Sequence, residues 1–248
     1  MNNVLNIITP FKSENTISLE KTINSLAYQE FNHINHIIVC DISCKKIVDN
    51  YFRKISSNKS FFYDYLILKV NEKGIYNAIN IGLSELEDNS LYLVLGAGDE
   101  MHLRKSYDFN YQNDFFLIPY INTHAPKKLF TKIRNIYSGI PYCHNAIVFK
   151  KNKIRYNKSL KISADYLYFI DYLKSKETKR EFKKTLINEF KVLVETTSGI
   201  SSSNKILKNL ENLKVIFYRY SFKGVVFYMF FASISFSKFI LKKISLIS

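Results

Sequence analysis

The stretch KGIYNAINIGLSELEDNSLYLVLGAGD, from Lys73 to Asp99, contains the pattern that decides the fold. Between Ile75 and Leu86 its apolar residues recur at the spacing of one helical face. Leu91 to Leu95 is then a continuous apolar run, which is typical of a strand buried on both faces of a parallel sheet. The run ends in Gly-Ala-Gly followed by Asp99, so a carboxylate follows small residues at a strand end, where open α/β sheets bind ligands. An acidic turn that only caps the next helix is the alternative interpretation.

Strand and helix patterns alternate along the first 100 residues. Strands are predicted at Val4–Thr9, Ile34–Asp41 and Tyr65–Val70, and helices follow the first two of them. Pro10 is expected to stop the first strand. This alternation predicts an α/β fold with a mostly parallel sheet flanked by helices. In such a sheet Asp41 and Asp99 both follow strand ends at the same edge, so we expect them to lie near one ligand.

The chain after Met101 is less regular. Strands are predicted at Phe115–Ile121, Cys143–Lys150 and Leu186–Val194, and helices at Ala164–Lys174 and Lys205–Tyr220. We therefore predict a main domain over residues 1–204 and a basic, apolar helical segment over residues 205–248.

The net charge of +15 is unevenly distributed. Residues 1–100 hold 9 Lys and Arg against 12 Asp and Glu, whereas residues 101–248 hold 27 against 9. The second part of the chain is expected to attract an anionic partner such as phosphate or anionic lipid. No nucleic-acid-binding motif is recognisable, so a nucleic-acid partner is not expected. The three cysteines form no metal-ligand set, and because a strand begins at Val4 without a signal peptide we expect a cytoplasmic protein.

The segment Gly224–Ser248 opens with an uncharged apolar run and then mixes lysines with apolar residues. The run is shorter than the ~20 residues that span a bilayer. Its composition suits a helix that lies in a membrane interface, with its lysines near lipid phosphates. A core helix packed on the main domain and a dimer contact are the alternatives.

Six short motifs, taken in order, resemble family 2 glycosyltransferases, and in particular the small enzymes of bacterial surface-polysaccharide synthesis such as the colanic acid type. They are ITP, the strand ending at Asp41, KGIYNAINIGL, YLVLGAGD, HNAIVFKK and ISADYLYF, and they span Val4 to Lys174 in register. The resemblance implies a GT-A, Rossmann-like nucleotide-sugar-binding fold. It also implies inverting transfer of a sugar, with a UDP-sugar favoured as donor, to a lipid-linked saccharide of an O antigen or capsule. A cytoplasmic enzyme, peripheral on the inner face of the cytoplasmic membrane, is then expected.

The resemblance also implies roles for individual residues. Asp165 falls on the general base that takes the proton of the acceptor hydroxyl. Tyr76 and His144 fall near the acceptor or the donor diphosphate, and Asp99 and His144 are the candidate ligands for Mg2+ or Mn2+. The residues expected to bind the nucleotide sugar are Thr9, Pro10, Asp41, Glu72, Lys73, Asn80 and Asp99.

The residues themselves leave other interpretations open. Asp165 suits the N-cap of the helix that it begins. Tyr76 and His144 could be buried structural residues. The acidic loop retains only Asp99, with Glu100 behind it, and Asn145 and Ala146 depart from the subgroup's Gln-Ser. A catalytically impaired protein that binds nucleotide sugar, membrane or nucleic acid is therefore the alternative function. A nucleotidyltransferase is disfavoured because ITPFKSEN has no glycine.

Overall fold

The structure is a computed structural model. It describes residues 4–12, 16–27, 34–56, 64–70, 74–103, 113, 115–123, 126, 128–132, 135–177, 184–195 and 204–244, with side chains as far as residue 233. The predicted sites Glu72 and Lys73 lie outside these residues.

Strands and helices alternate over the first half of the described chain. Its elements are β1 (Leu5–Phe11), α1 (Thr16–Ala27), β2 (Ile34–Cys40), α2 (Ile42–Ser56), β3 (Asp64–Lys69), α3 (Ile75–Ser84), β4 (Leu91–Val94) and β5 (Glu100–Leu103). The second half contains β6 (Phe115–Leu117), β7 (Tyr120–Asn122), β8 (Leu129–Phe130), β9 (Ile147–Lys150), α4 (Ala164–Glu177), β10 (Lys184–Leu186), β11 (Phe190–Val194) and α5 (Lys205–Ile244). Two short 3-10 helices, Ile136–Ser138 and His144–Ala146, precede β9.

The described strands form two sheets. The larger sheet has the order β10-β6-β9-β4-β1-β2-β3, and β9 alone runs antiparallel to its neighbours among these strands. The smaller sheet has the order β5-β11-β7-β8. Strands β1, β2 and β4 are buried almost throughout. Their continuous apolar runs suit this burial on both faces of a parallel sheet. The predicted α/β architecture is therefore confirmed.

Helix α3 packs directly on the sheet, as its apolar face predicts. A side chain at Gly82 would place its Cβ 2.7 Å from Cγ2 of the buried Ile8. The missing side chain lets the helix approach β1 closely and brings its N-terminus towards the strand ends.

Pro10 does not stop β1, contrary to the sequence prediction. The strand continues to Phe11, and Pro10 lies opposite Val39 of β2. Alternate residues of a strand point their backbone nitrogens to the same side. The nitrogen of Pro10 therefore faces the side of β4, as the N–H of Ile8 does. Pairing with β4 ends at Ile8, so the missing N–H of Pro10 interrupts no ladder hydrogen bond.

Two predicted strands are each divided between the two sheets. The predicted strand 115–121 becomes β6 in the larger sheet and β7 in the smaller one, separated at Ile118 and Pro119. The predicted strand 186–194 divides in the same way into β10 and β11. Proline lacks the N–H that a continuous central strand needs, and the carbonyl of Pro119 instead accepts from the backbone of Val192, 3.0 Å away. An apolar run in the sequence does not reveal this change of sheet.

His144 begins a 3-10 helix and not the predicted strand. The N–H of Ala146 donates to the carbonyl of Cys143 at 3.0 Å, which closes this turn before β9 begins at Ile147. His144 and Asn145 are thereby placed beside the loop that follows β4.

The carboxylate of Asp99 joins the two sheets. It is 3% exposed and accepts hydrogen bonds from the N–H of Gly96 at 3.0 Å, just after β4, and from the N–H of Glu195 at 2.7 Å, just after β11. It also accepts from the side-chain amide of Asn145. The turn that carries it is fixed by Thr22 of α1, whose hydroxyl donates to the carbonyl of Asp99 at 2.8 Å.

Helix α5 is broken at Ser221, which has a non-helical backbone conformation with φ 58° and ψ −161°. The break separates the predicted helix Lys205–Tyr220 from the apolar segment that follows it. The inner face of α5 packs on α4 and on the 3-10 helix Ile136–Ser138. Within the described residues, no helix is long and apolar enough to cross a membrane.

We predict that Asp99→Ala destabilises the protein by about 2–4 kcal/mol, because three part-buried donors lose their acceptor. Urea unfolding at neutral pH, followed by circular dichroism, measures this free energy. Asp64→Ala is the matched control, because Asp64 is exposed at the start of β3 and should change the stability by less than about 0.5 kcal/mol. Equal stabilities of the two variants would show that the carboxylate of Asp99 does not hold the sheets together.

Candidate active site

A cavity of about 390 Å³ opens at the edge of the larger sheet where β1 and β4 end. Pro10 and Gly96 form its wall at these strand ends, and Tyr76 contributes from the first turn of α3. Further polar lining comes from distant parts of the chain, including His144, Asn145, Asp165, Glu195, Lys208 and Asn212. The cavity therefore lies where the sequence predicts ligand binding.

Asp165 lines this cavity from the first turn of α4. It is not the N-cap, because the carbonyl of Ser163 already accepts the first helical hydrogen bond, from Leu167 at 3.1 Å. Its Oδ1 accepts a hydrogen bond from the neighbouring N–H of Tyr166, at 2.7 Å. The half-buried carboxylate is thus held on a rigid element and faces the cavity.

Burial raises the pKa of Asp165 to about 6, because the enclosed site solvates the charged form poorly. The N–H of Tyr166 and the nearby ammonium of Lys208 oppose this rise, while the charge of Glu211 adds to it. A carboxylate with this pKa is mostly ionised at neutral pH and is a stronger base than an ordinary aspartate.

Tyr76 and His144 meet in an aromatic cluster around Tyr156. The Tyr76 ring stacks on Tyr156 with centroids 5.9 Å apart, and its hydroxyl donates to the carbonyl of Ile162 at 2.5 Å. Nε2 of His144 is hydrogen-bonded to the hydroxyl of Tyr156. Burial lowers the pKa of His144 to about 4, so its ring is neutral. Both residues line the cavity and also support the structure, which unites the two interpretations that the sequence left open.

Other predicted site residues lie around or behind the cavity. Thr9 is fully buried and hydrogen-bonds Nε2 of His36 at 2.7 Å, so only Pro10 of that pair lines the cavity. Asp41 directly follows β2 at the same sheet edge but does not line the cavity. The amide of Asn80 is bonded to the backbone of Tyr156 in both directions, at 2.8 Å each. A nucleotide-sugar contact by Thr9, Asp41 or Asn80 stays a prediction.

Asp99 lies behind the cavity wall that Gly96, Asn145 and Glu195 form. Burial raises its pKa to about 6, although its three hydrogen bonds favour the ionised form and lower it. The positive φ of Gly98, 104°, lets the turn close beneath this carboxylate.

The predicted metal ligands do not fit a divalent cation in this arrangement. Oδ2 of Asp99 accepts two hydrogen bonds and Oδ1 accepts one, and Nε2 of His144 is engaged by Tyr156. No group of three or more His, Cys, Asp or Glu side chains able to hold a metal occurs in the part of the chain that the structure describes. A metal on Asp99 and His144 would require these bonds to open, so no catalytic step is assigned to one.

Several polar residues at or beside the cavity are missed by the sequence analysis. Glu195 follows β11, and Lys208 and Asn212 lie one turn apart on α5, all lining the cavity. Glu211 lies between them and binds the loop before α4. None of them belongs to a recognisable motif, and only the basic, amphipathic character of residues 205–220 could have directed attention to α5.

The sequence matches no protein-family model and no curated protein. The fold resembles those of many solved structures, including the following three. TarS 1–349 of S. aureus, in complex with UDP-GlcNAc, has a TM-score of 0.60 and 16% identity over 86% of this chain and 64% of that chain. A mannosyltransferase from Pyrobaculum calidifontis, PcManGT, with GDP-Man and Mn2+, has a TM-score of 0.59 and 6% identity over 98% of this chain and 79% of that chain. GalNAc-T7 with UDP, GalNAc and Mn2+ has a TM-score of 0.56 and 11% identity over 86% of this chain and 47% of that chain.

These proteins are glycosyltransferases, and the likeness at such low identity concerns the fold. The chain spans less than two thirds of the TarS structure with UDP-GlcNAc. The order of its sheets, the cavity at the ends of β1 and β4 and the similarity to these structures together show that this chain has the GT-A-type glycosyltransferase fold.

Proposed function

We propose that this protein transfers a sugar from a nucleotide-sugar donor to a hydroxyl of a lipid-linked saccharide, with inversion, in bacterial surface-polysaccharide synthesis. The observation that carries the proposal is the position of Asp165. Its carboxylate lines a cavity at the sheet edge of a GT-A fold and is held by the first turn of α4. The motif match that assigned the base role to Asp165 and the geometry of the cavity support the same residue.

The donor is expected to occupy the side of the cavity formed by Pro10, Gly96 and Asn145, with Asp41 towards the nucleobase. A UDP-sugar is favoured, since TarS was solved with UDP-GlcNAc and GalNAc-T7 with UDP, although PcManGT holds GDP-Man. A side chain at Gly96 would place its Cβ 2.9 Å from Oδ2 of Asp99, so this glycine lets the carboxylate pack closely behind the donor side of the cavity.

The reaction needs one base. The acceptor hydroxyl oxygen bonds to the anomeric carbon while the bond from that carbon to the donor diphosphate breaks, and the electron pair leaves with the diphosphate. Asp165 receives the hydroxyl proton as this occurs. Attack from the face opposite the leaving group inverts the anomeric centre.

We predict that Asp165→Asn abolishes turnover but keeps donor binding, because the amide preserves the shape and cannot accept the proton. Sugar transfer from radiolabelled UDP-sugars and calorimetric titration with UDP measure the two properties. In the unmodified protein kcat should rise with pH through about 6, as the carboxyl group loses its proton. Asp64→Asn, at the opposite sheet edge, is the control; an active Asp165→Asn enzyme would remove Asp165 from the mechanism.

Mg2+ or Mn2+ belongs to this proposal as a companion of the donor diphosphate, supported by the Mn2+ in PcManGT and GalNAc-T7. We predict that UDP binds more tightly in Mn2+ than in EDTA, as calorimetry would show. Glu195 is the half-buried carboxylate that lines the cavity beside Asp99, so it is the candidate ligand for this metal. Glu195→Gln should therefore reduce the difference between the UDP affinities in Mn2+ and in EDTA. Equal affinities in both buffers would mean that the protein's own groups hold the diphosphate.

The exposed apolar residues on the outer face of α5 support the proposal that this protein binds to the inner face of the cytoplasmic membrane. The exposed Ile206, Leu210 and Phe217 follow the spacing of one helical face. Ile206 is 77% exposed, and the exposed Lys205, Lys214 and Lys223 belong to the same helix. Beyond the break at Ser221 further large apolar side chains are exposed, namely Phe222, Val226, Phe227, Met229 and Phe230. Apolar side chains near lysines suit the surface of an anionic bilayer, where a lipid-linked acceptor would be presented.

We predict that the full-length protein floats with liposomes containing anionic lipid and that a chain ending at Lys223 does so less. Leu210→Ser combined with Phe217→Ser should also weaken flotation, because both remove apolar area from the outer face. Ile17→Ser is the matched control, since Ile17 is 68% exposed on α1. Equal flotation of all four proteins would argue against membrane binding through α5.

A further inference from the structure

The inner face of α5 holds the loop that leads into the candidate catalytic helix. Glu211 is 8% exposed, and its carboxylate accepts three successive backbone N–H groups. Oε1 accepts from Lys161 at 2.8 Å, and Oε2 accepts from Ile162 at 2.9 Å and from Ser163 at 2.8 Å.

Ser163 is the N-cap of α4, where the helix leaves an N–H without a partner, and Lys161 and Ile162 are the two loop residues before it. A buried carboxylate that receives three N–H groups satisfies them and complements the positive end of the helix. The loop is also fixed from the opposite side, because the hydroxyl of Tyr76 donates to the carbonyl of Ile162 at 2.5 Å. Asp165 follows Ser163 by two residues, so its place in the cavity depends on this clamped loop.

The same turn of α5 forms part of the cavity wall. Lys208 and Asn212 lie on either side of Glu211 along the helix, and both line the cavity with Asp165. The hydroxyl of Ser163 reaches the carbonyl of Lys208 at 3.4 Å, which adds a direct contact between α5 and the loop. A helix that served only to attach the protein to a membrane would not need a buried carboxylate directed at this loop.

We propose that Glu211 is a positioning residue for Asp165, and that residues 205–216 of α5 are therefore part of the active site. This inference rests on the proposed function, since it assigns Glu211 to the reaction in which Asp165 is the base. It makes the C-terminal helix necessary for turnover independently of any membrane.

The test compares Glu211→Gln with the unmodified full-length protein. The amide keeps the size of the side chain but turns an NH2 group towards backbone donors, so the clamp loses hydrogen bonds. We expect kcat with a soluble acceptor analogue to fall by about 10- to 100-fold, the loss that follows from misplacing a catalytic group by about an ångström. The affinity for UDP, measured by calorimetry, should stay unchanged because Glu211 is not on the donor side.

Hydrogen exchange gives a readout that does not need turnover. The amides of residues 161–163 should exchange faster in Glu211→Gln, while those of β1 and β4 should not change. Glu20→Gln is the control, because Glu20 is exposed on α1, and it should alter neither exchange nor kcat. Unfolding in urea shows what fraction of each variant is folded, and kcat is compared per folded molecule.

The outcomes separate this inference from the proposed function. An unmodified protein without sugar transfer would overturn the proposed function. Sugar transfer in the unmodified protein with an equal kcat in Glu211→Gln would overturn the positioning role alone, even if the variant were less stable. Faster exchange with a lowered kcat and unchanged UDP affinity would establish it.

Discussion

The architecture depends on one buried carboxylate that receives hydrogen bonds from both sheets. Asp99 is bonded to Gly96 at the end of β4 and to Glu195 at the end of β11, and Asn145 bonds to it from the 3-10 helix. Burial of this charge is unfavourable by itself, as its raised pKa shows. Three donors offset that cost, and they fix the relative positions of three segments that meet at the cavity.

A second carboxylate has a corresponding role on the other side of the cavity. Glu211 binds the loop before α4, as Asp99 binds the turn after β4. The two buried acids thus hold different parts of the cavity wall, and the carboxylates of Asp165 and Glu195 line the cavity itself. We propose Asp165 for the chemistry because it lines the cavity, whereas Asp99 and Glu211 do not.

The aromatic residues explain why this part of the site is poorly solvated. Tyr156 stacks on Tyr168 with centroids 4.1 Å apart and contacts both Tyr76 and His144. Large rings beneath the polar lining exclude water, which keeps His144 neutral and raises the pKa of Asp165. The raised pKa of Asp165 suits its proposed role as a base near neutral pH.

The sequence by itself determined the α/β class, the buried strands and the shared edge of Asp41 and Asp99, because apolar periodicity is a local property of the chain. It also placed Asp165 at a helix start. Only the tertiary structure decided that Pro10 continues a strand, that two apolar runs divide between sheets, and that Asp99 faces backbone donors. It alone brought Glu195 to Asp99, 96 residues away, and Glu211 to Ser163, 48 residues away. Such contacts follow from the packing of whole elements, and no local spacing in the sequence encodes them.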